Sequence, residues 1–221
     1  MNYKKILPTF LINFVKKNYF FWKYRHIIDK NIWVNYLNDF SSKRRDIYSK
    51  IIEENKLISV FEFGCASGPN LKNILLKKPN IFILGFDINE EAISLAKEKL
   101  LSNKVILTSK LNEDIVLNSL RKFRINCFDM AIYDRVLYLL SEEEVRSHFN
   151  IMKKFLNLIL IDDFHSENIE ISNSNYKTKN FIEILESCGF CIEKIEASKH
   201  KNIDNFFKKN SKILIFKNKK N

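Results

Sequence analysis

Cysteine, glycine and proline are scarce in this chain, at four, four and three of 221 residues. Cys65, Cys127, Cys188 and Cys191 are too few and too irregularly spaced for a secreted disulfide framework, so a reducing cytoplasm is the expected compartment. Cys188-Gly-Phe-Cys191 has the spacing of a redox pair, but it falls where a predicted helix, Phe181 to Ser187, ends. Redox thiols sit at helix starts, where the dipole lowers their pKa, and no second pair is present to complete a zinc site. Long apolar runs are also missing. The nearest is TFLINFVKKNYFFWKY from Thr9, which its lysines and asparagines interrupt before the roughly 20 apolar residues that a bilayer span needs. No small-residue cleavage site follows it, which argues against a signal peptide. A dinucleotide fingerprint Gly-x-Gly-x-x-Gly fails as well, because its third and sixth places are Ala66 and Pro69. That disfavours an NAD-dependent oxidoreductase.

What is present is enough apolar material, 46% of the residues, for one well-cored domain with an extension. The expected division is an aromatic-rich helical cap over residues 1–56 and a main domain over 57–221. Net charge is +11, unevenly spread. Lys and Arg outnumber Asp and Glu by 12 to 5 in residues 1–56 and 8 to 1 in residues 199–221, while residues 57–198 carry 17 against 20. Basic ends suit nucleic acid or an anionic membrane surface, and residues 9–24 fit peripheral membrane contact, with aromatic rings in the interface and Lys16, Lys17 and Lys23 toward head groups. The alternative is ordinary solvated lysine.

One stretch organises the rest: Ile58 to Leu71, ISVFEFGCASGPNL. Ile58 to Phe63 is a strand buried on both faces; Gly64, Ala66 and Gly68 then form a tight turn of small residues, and Pro69 suits the first turn of a helix. Such a turn lets a ligand approach the backbone, and the helix start offers N–H groups to it. A second strand, IFILGFD, ends at Asp87, after which Asn89 can cap a helix. The pattern Glu62-x-Gly64-x-Ala66-x-Gly68 resembles motif I of the class I S-adenosylmethionine-dependent methyltransferases, with alanine in place of the middle glycine. The resemblance assigns Asp87 to both ribose hydroxyls and makes Glu62, Gly64, Cys65, Ala66, Gly68, Asn70 and Ile88 cofactor-binding candidates. For the adenine end no residue matches cleanly, and Asn112 and Asp114 are the nearest candidates.

Further strands are predicted at Val105–Thr108, Cys127–Tyr133, Leu158–Ile161, Phe190–Ala197 and Ser211–Phe216, with helices over Glu142–Phe155 and Lys177–Ser187. Ser141-x-x-Glu144 reads as a capping box, and Asp129 as structural. Asp134, at the mouth, can meet an acceptor or the cofactor's amino group; His165, beside Asp162, Asp163 and Glu167, can serve as a general base. Trp33, Tyr36, Arg44 and Arg45, ahead of the motif, are substrate-side candidates.

The resemblance implies an α/β, Rossmann-like sheet of seven mostly parallel strands in the order 3-2-1-4-5-7-6, with strand 7 antiparallel and an N-terminal helical extension. It also implies a methyl transfer from S-adenosylmethionine, without a metal, to a hydroxyl or amine of a small molecule or saccharide. The layout resembles bacterial methyltransferases of surface-polysaccharide or small-molecule pathways. An RNA methyltransferase and a non-catalytic S-adenosylmethionine-binding module stand as alternatives.

Overall fold

A computed structural model describes residues 19–172, 176–199 and 205–219. The expected membrane-surface segment, residues 9–24, lies mostly outside them. Among the described residues no helix is long and apolar enough to cross a membrane.

Helices α1 (Tyr19–Lys23), α2 (Arg25–Ile28), α3 (Ile32–Asn38) and α4 (Asp46–Glu54) precede the sheet. There follow β1 (Ser59–Phe63), α5 (Pro69–Lys77), β2 (Phe82–Phe86), α6 (Glu90–Lys99), β3 (Val105–Thr108), α7 (Glu113–Phe123), β4 (Phe128–Asp134), α8 (Glu142–Met152), β5 (Leu156–Phe164), α9 (Phe181–Ser187), β6 (Phe190–Ala197), α10 (Asn205–Asn210) and β7 (Ser211–Asn218). The seven strands form one sheet in the order β3-β2-β1-β4-β5-β7-β6. Strands 1 to 5 pair in parallel, and β7 pairs antiparallel with both β5 and β6, as the hairpin reading required.

Alternation along the strands divides the side chains between two cores. Phe61, Phe128 and Tyr133 pack with α7, α8 and α9 on one face. Val60, Ile83, Met130, Ile132 and Leu160 pack with Tyr48 and Ile52 of α4, and with α5 and α6, on the other. Glu62, Asp134 and Asp162 share the pleat of Val60, Ile132 and Leu160, so three acids point toward the α4–α5 layer.

Several boundaries moved. β5 runs to Phe164 rather than Ile161, because β7 pairs along its whole length, from Leu158↔Lys217 to Phe164↔Ser211. The helix expected from Lys177 begins at Phe181, capped by Asn180; residues 176–180 instead belong to a strap bridged to the chain ahead of it at His165↔Lys179 and Ile171↔Lys177. α8 ends at Met152 rather than Phe155, and its capping box from Ser141 and Glu144 is present. No side chain caps α4; Asp39–Ser41, ahead of it, forms a separate 3-10 turn.

Candidate cofactor site

The turn after β1 departs from ordinary L-residue geometry at three of five places. Gly64 and Gly68 have φ of 79° and 81°, and Ala66 has φ of 49°. A Cβ on Gly64 would lie 2.7 Å from Val136 Cγ2, and one on Gly68 would lie 2.5 Å from Leu100 Cδ1. The glycines are therefore required by both conformation and space. Ala66 is the exception that carries a methyl in the left-handed region, at a cost of roughly 1–2 kcal/mol; in return its methyl packs against Ile32, Trp33 and Ala92. The turn is thus joined to α3. A hydrogen bond from Ser67 Oγ to the Trp33 carbonyl (2.7 Å) makes the same connection.

Asp87, one residue past β2, holds the turn from the other side. Its Oδ2 accepts from Ala66 N (2.8 Å), and its Oδ1 accepts from Asn89 N (2.9 Å). Burial raises its pKa to about 6, against the pull of those two N–H bonds. Asn89 caps α6 through Ala92 N and donates through Nδ2 to the carbonyls of Trp22 and Lys23. One buried asparagine therefore ties the second strand's turn to α1.

Deeper in the cleft, Asn70 links the acids. Its Nδ2 donates to Glu62 Oε1 (2.6 Å) and to Asp134 Oδ2 (3.0 Å), while its Oδ1 accepts from Arg45. Arg44 places one nitrogen 2.7 and 2.8 Å from the two oxygens of Asp134. Tyr48 donates to Asp162 at 3.0 Å, and Arg135 lies 3.8 Å from that carboxylate. Burial alone would lower the Arg44 pKa, but Asp134, Tyr48 and Asp162 outweigh it, so the guanidinium stays charged. Glu62 is fully buried, and burial pushes its pKa to about 8, with Asp134 and Asp87 adding to the effect and Asn70 and Arg45 opposing it. Its Oε2 has no hydrogen-bond partner. An unsatisfied buried carboxyl oxygen is costly, and its position suits a cationic or N–H ligand.

The residues singled out from the sequence fall into three groups. Glu62, Gly64, Ala66, Gly68, Asn70 and Asp87 converge around the turn. Cys65 is buried beneath it, packed toward Gly85, where an added Cβ would lie 3.1 Å from its sulfur, and Ile88 is half-buried beside Asp87. Asn112 does not offer its oxygen to adenine: Oδ1 caps α7 by accepting from Ile115 N (2.9 Å), and Asp114 is exposed in that helix's first turn. Asp134 sits in the cleft with both oxygens engaged by donors. His165 stands at the mouth beneath the strap. The strap folds back on it, so that Nδ1 lies 3.2 Å from the Lys179 carbonyl and 3.3 Å from Phe181 N, and burial lowers its pKa. Of the substrate-side candidates, Arg44 and Arg45 enter the cleft, and Trp33 is buried with its indole nitrogen unpartnered. Tyr48, Asn89 and Gly85 were not recognised as contributors to the site; only the i, i+4 spacing of Arg44 and Tyr48 on one turn hinted at the first.

A family model described as a methyltransferase domain matches residues 54–217. The chain belongs to this family, and its fold and motif are those of the class I S-adenosylmethionine-dependent methyltransferases. It is 27% identical over 142 residues to O-methyltransferase 3 of Dictyostelium discoideum, a match that covers 61% of this chain and 30% of that protein, so the chain spans about a third of the curated relative's length. The structure resembles that of the Burkholderia thailandensis 1,6-didemethyltoxoflavin N1-methyltransferase, solved with its acceptor and S-adenosylhomocysteine (TM-score 0.62, 12% identity, 96% of this chain and 91% of that one). It also resembles the mitomycin 7-O-methyltransferase MmcR (TM-score 0.60, 12% identity, 90% and 60%).

Proposed function

We propose that this protein transfers a methyl group from S-adenosylmethionine to a hydroxyl or amine of a small-molecule acceptor, saccharides included among the candidates. The observation that carries the reading is the pairing of two carboxyl groups across the Gly64–Gly68 turn, half-buried Asp87 bonded to Ala66 N and Asn89 N, and buried Glu62 with one oxygen unpartnered. The residues fit the cofactor. Asp87 can accept two vicinal hydroxyls, and Glu62 Oε2 can receive the ammonium. When bound, the cofactor supplies a sulfonium-activated methyl carbon, so the protein's task is to hold the acceptor in line and remove or accommodate its proton. Asp134 and Arg44 form the floor between the cofactor turn and the acceptor side, where Asp134 acts by positioning. His165 supports the strap. The small-molecule relatives, acting on a toxoflavin precursor and on mitomycin, support an acceptor of that size.

Calorimetric titration tests the reading. Micromolar binding of S-adenosylmethionine and S-adenosylhomocysteine, with no heat from NAD, is expected. Binding of NAD alone would overturn it. A methylated product detected by mass spectrometry from an acceptor panel of phenols, amines and saccharides would then identify the acceptor.

A further inference from the structure

Aromatic side chains from five separate segments meet at the carboxyl ends of β4 and β5. They are Tyr36 of α3, Tyr138 in the turn after β4, Phe164 closing β5, Tyr176 of the strap and Phe207 of α10. Tyr138 lies 5.6 Å from Phe164 and 5.4 Å from Tyr176, and Phe207 lies 4.8 Å from Phe164 and 5.6 Å from Tyr176, measured between ring centroids. Tyr36 is near enough to raise the pKa of both the Tyr138 and the Tyr176 phenols, although burial is the larger cause for each. Rings gathered for core packing are closed off from water, as Phe61 and Phe128 are. Here only Phe164 is buried; the other four are half-buried, so part of each side chain is exposed at the mouth.

Arg135 stands within this wall. Its guanidinium lies 4.3 Å from the centroid of Phe164 and 5.6 Å from that of Phe207. Its backbone is held at φ of 54°, in the left-handed region that non-glycine residues rarely adopt. Strain of this kind collects at functional sites. The position is also the right one: Arg135 follows Asp134, which Asn70 of the cofactor turn touches, and Val136 is the side chain that a Cβ on Gly64 would strike. The wall therefore begins one residue from the cofactor site and extends away from it.

We propose that this wall is the acceptor site and that it selects a planar aromatic acceptor bearing a hydroxyl, in preference to a saccharide. The proposal rests on the methyltransferase reading above. Flat rings stack against Tyr138, Tyr176 and Phe207, and the tyrosine phenols donate hydrogen bonds to the acceptor's heteroatoms. Saccharide recognition would instead call for polar side chains fanned around several hydroxyls. In the transfer, the acceptor hydroxyl loses its proton to solvent and its oxygen bonds to the methyl carbon. The carbon–sulfur bond breaks with its electron pair kept on sulfur, and a neutral methyl ether and a thioether result.

The test uses the full chain saturated with S-adenosylhomocysteine, with 2-naphthol and 4-hydroxybenzoate as aromatic probes and methyl glucoside as the saccharide. Saturation-transfer NMR on the wild type should show both aromatic probes bound and methyl glucoside unbound. The paired substitution Tyr138→Leu with Tyr176→Leu should weaken 2-naphthol roughly tenfold or more, leaving S-adenosylhomocysteine affinity within twofold, whereas Tyr138→Phe, which keeps the ring, should retain it. If S-adenosylhomocysteine binds and the aromatic probes do not, or methyl glucoside binds in their place, the acceptor proposal falls and the methyltransferase reading stands. If S-adenosylhomocysteine itself does not bind the wild type, both fall.

Discussion

Asp87 and Glu62 set the electrostatics of the cofactor site, and both are carboxyl groups whose ionised form is penalised by burial. On the proposed reading ionised Asp87 is the form that would accept two hydroxyls, and its pKa near 6 means the ligand-free protein loses that form as pH falls. Cofactor affinity is therefore expected to weaken by up to about tenfold per pH unit below 6, measured by titration at constant ionic strength. Glu62, near 8, is protonated in the free protein at neutral pH and must release its proton to receive an ammonium. Binding at pH 7 should release protons, visible as a dependence of calorimetric heat on buffer ionisation enthalpy. The same group shapes stability. Between its ordinary pKa of 4.5 and about 8 the unfolded chain has lost a proton that the folded chain keeps. Glu62 alone then makes the fold less stable as pH rises through that window, by at most about 1.4 kcal/mol per pH unit. Glu62→Gln should flatten that slope in denaturant titrations at pH 6 and 8. Asp87→Ala should lower cofactor affinity about a hundredfold or more, since hydrogen bonds to a charged group contribute about 1.5–3 kcal/mol each. It should also loosen the turn, because Ala66 N and Asn89 N lose their acceptor.

The elements ahead of β1 are as much part of the site as the strands. Tyr48 and Ile52 of α4 are fully buried in the core beneath the sheet, and α3 reaches the turn through Ser67 and Ala66. Asn89 ties α1 to the sheet, serving a helix cap with its oxygen and two carbonyls with its nitrogen, and Trp22 of α1 packs on the cluster of Ile32, Trp33 and Ala92. Asn89→Ala should cost about 1–2 kcal/mol for the cap and expose the chain near Lys23 and Arg25 to trypsin, while the sheet's circular dichroism is kept. The Arg44–Asp134 pair is partly buried, so removing Arg44 takes the nearest cation from Asp134 and leaves Asn70 and, at 3.7 Å, Arg45 beside it. Arg44→Met should destabilise by about 3 kcal/mol, read from chemical denaturation.

For the molecule as a whole, the antiparallel β7 is an interior strand, lying between β5 and β6. It carries Ile213, Leu214 and Phe216, all essentially excluded from solvent. Each such side chain is worth about 2–5 kcal/mol, so their joint loss is comparable with the margin of about 5–15 kcal/mol that holds a domain folded. A chain ending before Asn205 is expected to be insoluble or to show no cooperative thermal transition.

The strands and the cofactor turn were legible in the residues themselves, because both rest on local constraints, whereas the strand order was implied by the resemblance of the motif to a known fold. Apolar runs of five or six mark buried strands, and a small-residue turn before Pro69 can adopt few conformations. The ends of β5 and α9 were not legible, since pairing with β7 extended one and the strap's bridges shortened the other, and both partners lie far away in sequence. The same reason separates Asp87 from His165. An acid at the tip of the second strand is placed by the strand it ends, whereas a histidine beside three acids has no fixed neighbours until the strap closes over it and binds its ring nitrogen. Nor does any spacing reveal that Arg44, Asn70, Asp134 and Asp162 meet, or that five rings from distant segments line one mouth. Local sterics and hydrophobic period determined which elements form; long-range packing alone decided which charges are buried together, and so what the site can bind.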